Sequence, residues 1–536
     1  MSRSRTLWPW LTTAASGTLL SLTFPGINLE PALWIAPCLF LATLWFAPRP
    51  KKRPAFHTFL LGYLFGYLYF TLSLFWISEV HILGALSLPA YLAVYPALFS
   101  VFAASTGRPN FNFEKPGFFG NSLTNLRTAI LNAAAWTGLE WLRGIAFTGF
   151  GWNGLGVGLW KNHTLAQLAD TVGVTGLSFL VVFTASVATG VTWRLTVEFR
   201  TRKLRPHLDF AALALTLITA TFYGFEKLTA PLGETKPLRT LLVQLNIPQE
   251  QKWDSAFVTD IYKRYKDYTH TYTATFDFDL VIWPESSIPI PLDYPYNAGY
   301  FESFFADKQF PLLFGTNDEI PFDGTYNSIA LLHGHHTDKR QIYKKIHLVP
   351  FGEYIPLRGA FPPFQWIAGE LIPWDFKAGE LSPPLELTGP GIQLLPALCF
   401  EDTIGDLVRY NAATSAPQLI VNVTNDGWFR ESSGSEQHLA NALFRCIELR
   451  RPMVRCCNTG ISCVIDSSGH ITDRIEDPIT GSTFVTQTRP VTIEVPLTPP
   501  VTFYAKHGDL FSKIAAAIAV LAAFAHFVRS RISSRS

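Results

Sequence analysis

Charge is what this chain has least of: 16% of its 536 residues are Asp, Glu, Lys or Arg, against a hydrophobic share of 48% and a mean hydropathy of +0.19. A soluble enzyme of this length ordinarily carries about a quarter charged residues, so part of the chain must face lipid. The net charge of +2 lacks the positive excess that a polyanion demands, which argues against nucleic acid as a partner. Metal-type and redox-type cysteine spacings are missing too. Cys38, Cys399, Cys446, Cys456, Cys457 and Cys463 form no CxxC pair, and adjacent Cys456 and Cys457 suit no ordinary disulfide framework. Cys38, Cys446 and Cys463 read as small buried hydrophobes. The run His333-Gly-His-His336 lacks ligand partners at suitable spacing and sits in a turn-like stretch, so no metal is expected there. With no P-loop either, no cofactor is expected at all.

What is present is a series of apolar runs long enough to cross a bilayer, which takes about 20 residues each. They lie near 7–24, 32–48, 56–78, 82–104, 128–146, 171–193, 208–224 and 511–528, a count of eight. Arg3 and Arg5 precede the first, but no small-x-small cleavage site follows before Phe24-Pro25-Gly26, so it reads as an anchor and not as a removed signal. Basic residues then set sidedness: Arg3 and Arg5, the loop Arg49–Arg53, the loop with Arg200, Arg202, Lys203 and Arg205, and the tail with Arg529, Arg531 and Arg535 fall at alternate loops. Eight spans put all four on the cytoplasmic side and residues 225–505 on the other. In the fifth span, Glu140 and Arg143 share one helix face at i and i+3, either pairing to lessen the cost of charge in hydrocarbon or gripping a lipid headgroup. The following Gly149–Gly156 loop is aromatic and glycine-rich, as a loop at headgroup level would be.

From about residue 237 the pattern changes. Runs such as Leu241–Val243, Leu280–Trp283, Leu312–Phe314, Leu394–Leu398 and Leu419–Val423 show little polar alternation, as strands buried on both faces do. Ser435–Arg451 has helical spacing, and Asn458–Ile465 with Ile471–Ile475 read as a strand pair around a Ser-Ser-Gly turn. The expected organisation is an α-helical transmembrane bundle with helices 1–7 in 1–224, an α/β catalytic domain at 225–505, and an eighth helix with a basic tail at 506–536. Inside the α/β segment, Trp-Pro-Glu285, Lys345 in a Lys-x-His-Leu-Val-Pro-Phe-Gly-Glu353 run, and Cys399-Phe-Glu401 offer a carboxylate, an ammonium and a thiol in order. That set suits acyl transfer. A free thiol is only a few per cent ionised at neutral pH and needs a base, for which Glu285 after a restraining proline is suited. A positioned ammonium would meet the oxyanion as charge develops. Lys344 and Lys345 point to opposite faces if extended, so one of them should be solvated.

These motifs resemble the Glu-Lys-Cys triad of the nitrilase superfamily. With the spans and the long Val-Pro-Phe-Gly-Glu form they resemble above all its membrane branch, the apolipoprotein N-acyltransferases. Val243-Gln-x-Asn-Ile-Pro-Gln249 followed by Lys252-Trp253, and Asn425-Asp-Gly-Trp-Phe429, extend the likeness along the chain. Leu245 stands where the family commonly has Gly, and Phe400 where it often has Tyr. The resemblance implies an αββα sandwich, Glu285, Lys345 and Cys399 as catalytic residues, and Glu353 and Glu401 in support. It selects Lys345 over Lys344 by register, with Glu353 orienting that lysine and Glu401 ordering the cysteine loop. Trp253, Phe400 and Trp428 are the substrate-facing aromatics it suggests, with core or interfacial packing as the other reading of the two tryptophans.

The implied substrates are a phospholipid acyl donor and diacylglyceryl-cysteine apolipoproteins, handled by a monomer in the bacterial inner membrane with its catalytic domain in the periplasm. An ester becomes a thioester on Cys399 and then an amide. A membrane-tethered amidase or nitrilase of small C–N substrates shares the triad but leaves the spans without a purpose. A transporter or scaffold with an inert domain leaves the complete triad unexplained.

Overall fold

A computed structural model describes residues 4–114, 117–231, 233–252, 254–335, 339–360, 362–369, 372–413 and 416–533. Arg3, Trp253, His336 and Arg535 lie outside them. The chain divides into two compact units, Met1–Ala230 with His507–Ser536, and Pro231–Lys506.

The first unit is helical, and a helix stands at each of the eight apolar positions: Ser4–Ser21, Glu30–Phe46, Pro54–Ser73, Ile82–Leu92 continued by Val94–Ala104, Gly120–Ile145, Ala169–Thr201, Leu208–Thr229 and Leu510–Ser533. Five segments are both long and apolar enough to cross a membrane: Pro54–Ser73, Ile82–Ala104, Ala169–Thr201, Leu208–Thr229 and Leu510–Ser533. That is fewer than the expected eight, for physical reasons. Glu30–Phe46 is apolar but has only 17 residues. Gly120–Ile145 is long enough, but its Asn121, Asn125, Arg127, Asn132, Glu140 and Arg143 dilute its hydropathy.

Many of those polar groups turn inward, as a helix in an apolar medium requires. Asn125 Nδ2 donates to Asp209 Oδ2 at 2.7 Å, and Arg194 reaches the same oxygen at 2.9 Å. Glu140 accepts from Trp136 Nε1 at 2.6 Å and Ser178 Oγ at 3.0 Å. Arg143 lies 4.0 Å from Glu140 and donates to the carbonyls of Trp152 at 2.8 Å and Phe150 at 3.0 Å. With such partners the pair pins the Gly149–Gly156 loop, which favours the structural reading of Glu140 and Arg143. Where Pro54–Ser73 meets Val94–Ala104, Gly66 lies against Ala93 and Pro96 so closely that a methyl group would meet their atoms at 2.9 Å.

The second unit holds twelve strands: β1 Thr235–Gln244, β2 Leu280–Ile282, β3 Pro311–Ile320, β4 Gly324–His333, β5 Gln341–Lys344, β6 Leu385–Leu387, β7 Ile392–Leu398, β8 Leu419–Thr424, β9 Met453–Cys457, β10 Cys463–Ile465, β11 Ile471–Arg474 and β12 Gln487–Pro496. They form two six-stranded sheets, ordered β12-β1-β2-β3-β4-β5 and β11-β10-β9-β8-β7-β6. The period-2 geometry of a strand splits each apolar run between two cores. Leu238, Leu242, Leu280, Ile282, Leu313 and Ile329 meet Leu394, Leu398, Val421 and Val454 of the other sheet. Their neighbours Leu241, Val243, Val281, Trp283, Leu312 and Phe314 pack on the opposite face against helices Val258–Thr273 and Pro295–Phe304. The unbroken hydrophobicity of these strands follows from that double burial.

Two local expectations differ. The helix expected over Ser435–Arg451 is two, Gly434–Ala442 and Phe444–Leu449. The strand expected from Asn458 begins only at Cys463, because Asn458 spends its amide on the carbonyl of Ile247 at 2.9 Å and its Oδ1 on the Ile247 N–H at 3.2 Å. Beneath the ends of β7, β8 and β9, four fully buried charged or ionisable side chains interlock. Arg455 bonds Asp402 and, at 3.1 Å, Asp426, while His438 sits 2.9 Å from Asp402 and 2.8 Å from Asp426. Removing one partner of such a cluster leaves buried charge uncompensated. Arg455→Met is therefore expected to cost about 3 to 5 kcal/mol of stability, read as a lower thermal or urea midpoint of the purified protein. An unchanged midpoint would show that the cluster contributes no net stability.

Candidate active site

The three residues singled out from sequence come from three separate strand ends. Glu285 follows β2, Lys345 follows β5 and Cys399 follows β7. Trp283 continues the β2 ladder by donating its N–H to the Leu313 carbonyl at 2.9 Å, and Gly315 N–H donates to the Pro284 carbonyl at 3.1 Å. Glu285 is thus delivered into the interior, 8% exposed. Its approach to β3 is close: a Cβ at Gly315 would lie 2.5 Å from Glu285 Cα and 2.7 Å from Ser286 N. Only a residue without a side chain fits there.

Lys345 and Lys344 part company as their alternation requires. Lys344 turns the other way and is half-buried, 3.5 Å from Asp318 and 4.1 Å from the centre of the Tyr326 ring. Lys345 is 1% exposed, its Nζ 2.7 Å from Glu353 Oε2. Burial acts to strip its proton, but Glu353, Cys399 and Glu285 oppose it and hold the ammonium well above the ordinary lysine range. Asn327 links the carboxylates: its Nδ2 donates to Glu285 Oε1 at 2.9 Å and to Glu353 Oε1 at 2.8 Å. Glu353 also accepts the Val349 N–H at 2.8 Å.

Cys399 sits at the junction of β7 and a short helical turn with φ of 53°, a left-handed conformation that costs a non-glycine residue about 1 to 2 kcal/mol. Two contacts hold it. Asn422 Nδ2 donates to the Cys399 carbonyl at 3.1 Å, and Glu401 Oε2 accepts the Leu398 N–H at 2.8 Å. Desolvation of the sulfur and the charge of Glu285 push the thiol up, while Lys345 and a hydrogen bond from Thr424 pull it down; the net direction is up. The group is therefore a thiol at neutral pH, and its proton must be taken as it reacts.

Glu401 is fully buried and accepts from Tyr343 Oη at 2.9 Å, from the Ile346 and His347 N–H groups at 2.8 and 3.0 Å, and from Leu398. It binds the segment carrying Lys345 to the turn carrying Cys399. Among the suggested aromatics, Phe400 is partly buried with its ring 6.1 Å from that of His347, Trp428 is 47% exposed on the turn after β8, and Trp253 lies outside the described residues. His333 faces the Glu386 carbonyl at 3.3 Å, and among the described residues no cluster of His, Cys, Asp or Glu is arranged to hold a metal. Asn327, Thr424, Asn422 and Lys252 are the site residues that sequence reasoning assigned no role. Of these only Asn422 carried a signal, as an amide inside the otherwise apolar run Leu419–Val423.

Two family models match the chain: the one described as the apolipoprotein N-acyltransferase N-terminal domain over residues 16–187, and the one described as carbon-nitrogen hydrolase over residues 242–485. An apolipoprotein N-acyltransferase of Geobacter metallireducens is 33% identical across 98% of this chain and 96% of its own length. One of Bradyrhizobium diazoefficiens is 31% identical across the same shares, 98% and 96%. Among solved structures, an amidase from Nesterenkonia sp. aligns over 52% of this chain and 95% of its own, with 16% identity and a TM-score of 0.35.

The contact of Gly315 with the Glu285 backbone yields a direct test. Gly315→Ala should displace the carboxylate without touching Cys399, and slow alkylation of Cys399 by iodoacetamide by about tenfold or more, if the carboxylate takes the thiol proton. An unchanged alkylation rate would remove Glu285 from that role.

Proposed function

The chain belongs to the apolipoprotein N-acyltransferase family, and from that premise we propose the route by which it moves an acyl chain. It is a multi-pass membrane acyltransferase with five candidate spans, and its family implies lipoprotein substrates. The observation that carries the route is the convergence of a desolvated thiol, a fixed ammonium and a buried carboxylate, with Asn327 bridging Glu285 to the partner of Lys345.

Cys399 Sγ attacks the sn-1 ester carbonyl of a phospholipid. As the S–C bond forms, Glu285 takes the thiol proton, and the carbonyl electrons move onto oxygen, where the Lys345 ammonium meets them. The C–O bond then breaks, Glu285 returns the proton to the departing glycerol oxygen, and a lysophospholipid leaves a thioester on Cys399. The α-amino group of a diacylglyceryl-cysteine lipoprotein, with an ordinary pKa of about 7.7 to 8.0, is partly neutral at working pH. It attacks the thioester, Glu285 takes the proton that the nitrogen sheds as the N–C bond forms, and the C–S bond breaks with that proton passing from Glu285 to the sulfur. An amide replaces a thioester. Glu353 holds Lys345 in its charged state and Glu401 sets the turn that presents the sulfur, while Phe400 and Trp428 border the entry for lipid.

The αββα unit faces the periplasm in this reading and eight helices cross the membrane. Support comes from the basic clusters at alternate loops and from the helices standing at all eight apolar positions. An impermeant maleimide should label Phe322→Cys, at a fully exposed turn of the catalytic unit, in cells whose outer membrane alone is opened, and should spare Arg202→Cys. Labelling of the second and not the first would invert the topology.

Incubation with a phospholipid bearing a fluorescent acyl chain should leave a hydroxylamine-sensitive label on the protein and release lysophospholipid. An added lipopeptide should receive the label, and a small amide should be left intact. Cys399→Ala is expected to abolish labelling. A label persisting in that variant would place the nucleophile elsewhere, and cleavage of the amide without labelling would favour a hydrolase.

A further inference from the structure

We propose that Lys252 is a positioning residue of the acyl-transfer site, tying the end of β2 to the loop after β1 so that Glu285 is held toward Cys399, and setting a second positive charge beside the thiol. The inference rests on the roles given above to Glu285 and Cys399.

Lys252 is 2% exposed, and its Nζ donates to the backbone carbonyl of Glu285 at 2.6 Å. Among the described residues no carboxylate comes within ion-pair distance of it, in contrast to Lys345 on Glu353. A lysine buried for packing alone would carry its charge at a penalty that an apolar side chain avoids.

The segment that carries it is fastened to the other sheet. Asn246 N–H donates to the Asn458 carbonyl at 2.9 Å, Asn458 Nδ2 donates to the Ile247 carbonyl at 2.9 Å, and Asn425 Nδ2 donates to Gln249 Oε1 at 2.7 Å. Asn458 follows β9 and Asn425 follows β8, so Lys252 reaches from a segment braced on the second sheet to a strand end of the first. Its side chain thus joins that braced segment to the backbone of Glu285.

The groups facing it are Glu285 after β2, Cys399 after β7 and Cys457 on β9, with Glu250 on its own short turn. Burial lowers its pKa to about 8, against the pull of Glu285, Cys457 and Cys399. Below that pH an ammonium favours negative charge developing on the sulfur. Above it, the neutral amine still donates to the Glu285 carbonyl, but the charge is gone. Lys345 shows no such change near neutrality, since Glu353 holds it charged. The two lysines thus differ in kind, one fixed and one responsive.

The test uses the full-length protein in detergent with a fluorescent-acyl phospholipid and no acceptor, so that the amine of the second substrate does not enter. The rate of Cys399 acylation is followed over about pH 6 to 10. The wild type should lose rate as pH rises through about 8. Lys252→Arg, charged throughout, should acylate without that alkaline limb. Lys252→Met should be slower by roughly tenfold or more at neutral pH and lack the limb. An alkaline limb unchanged in Lys252→Arg, loss of acylation at every pH in that variant with its melting temperature intact, or a Lys252→Met variant as fast as the wild type would each overturn the proposal. Should Lys252→Arg fail to fold, the limb in Lys252→Met decides: absent, the proposal stands; present, it falls. A label surviving in Cys399→Ala would instead sink the underlying assignment of the nucleophile.

Discussion

One buried carboxylate fixes the relation between the two halves of the catalytic unit. Glu401 has no solvent contact, and burial pushes its carboxyl above the ordinary range, while donors from both sheets pull it back. Tyr343 comes from β5, Ile346 and His347 from the segment just after it, and Leu398 from the last residue of β7. Hydrogen bonds to a charged group contribute about 1.5 to 3 kcal/mol each, and any donor deserted in the interior is penalised by a similar amount. Sliding one sheet against the other would strand several at once. The strained backbone of Cys399 and the placement of Lys345 both depend on that lock, since the residues it grips are their immediate neighbours.

Within the locked frame, the site holds apart groups that would otherwise neutralise one another. If Lys345 paired with Glu285, the carboxylate proposed as the base would be tied up; Glu353 takes that place and leaves Glu285 to accept one amide N–H from Asn327. The same Asn327 donates to Glu353, so the two carboxylates are spaced by a neutral bridge and not by a cation. Cys399, pushed up by desolvation and by Glu285, stays protonated until reaction begins. In the proposed route charge therefore separates only as the sulfur attacks, where a low-dielectric site gives most to its preorganised dipoles.

The placement of the three residues proposed as the triad was legible because each sits in a short motif at a strand end, where chain direction and side-chain alternation are set locally. Lys345 over Lys344 is such a case: the register selected it, and the alternation that buries one lysine sends the other to Asp318 and Tyr326. The strands of the α/β unit were legible for a related reason, since double burial writes itself as unbroken hydrophobicity. Asn327, Thr424 and Lys252 were not, because their meaning comes from strands far apart in sequence converging on one point. Nothing local marks Asn327 as the bridge between Glu285 and Glu353, which lie 42 and 26 residues away. Asn458 misled in the opposite direction, being read as strand when its side chain serves the loop at Ile247.

The helical unit answers the same physical problem with different means, which explains why its spans are harder to count than its helices. An apolar run alone marks a helix that is little covered by its neighbours, such as Leu510–Ser533, with only 17% of its most apolar stretch buried. A helix surrounded by others can carry Asn125, Asn132, Glu140 and Arg143 because partners inside the unit satisfy them. Those polar residues lower its hydropathy, whereas Ala169–Thr201, 61% buried over its most apolar stretch, keeps a mean hydropathy of 1.8. Hydropathy therefore under-reports a helix whose buried face is polar, and the polar residues that hide Gly120–Ile145 from such a count are the same ones that fasten its neighbours to it.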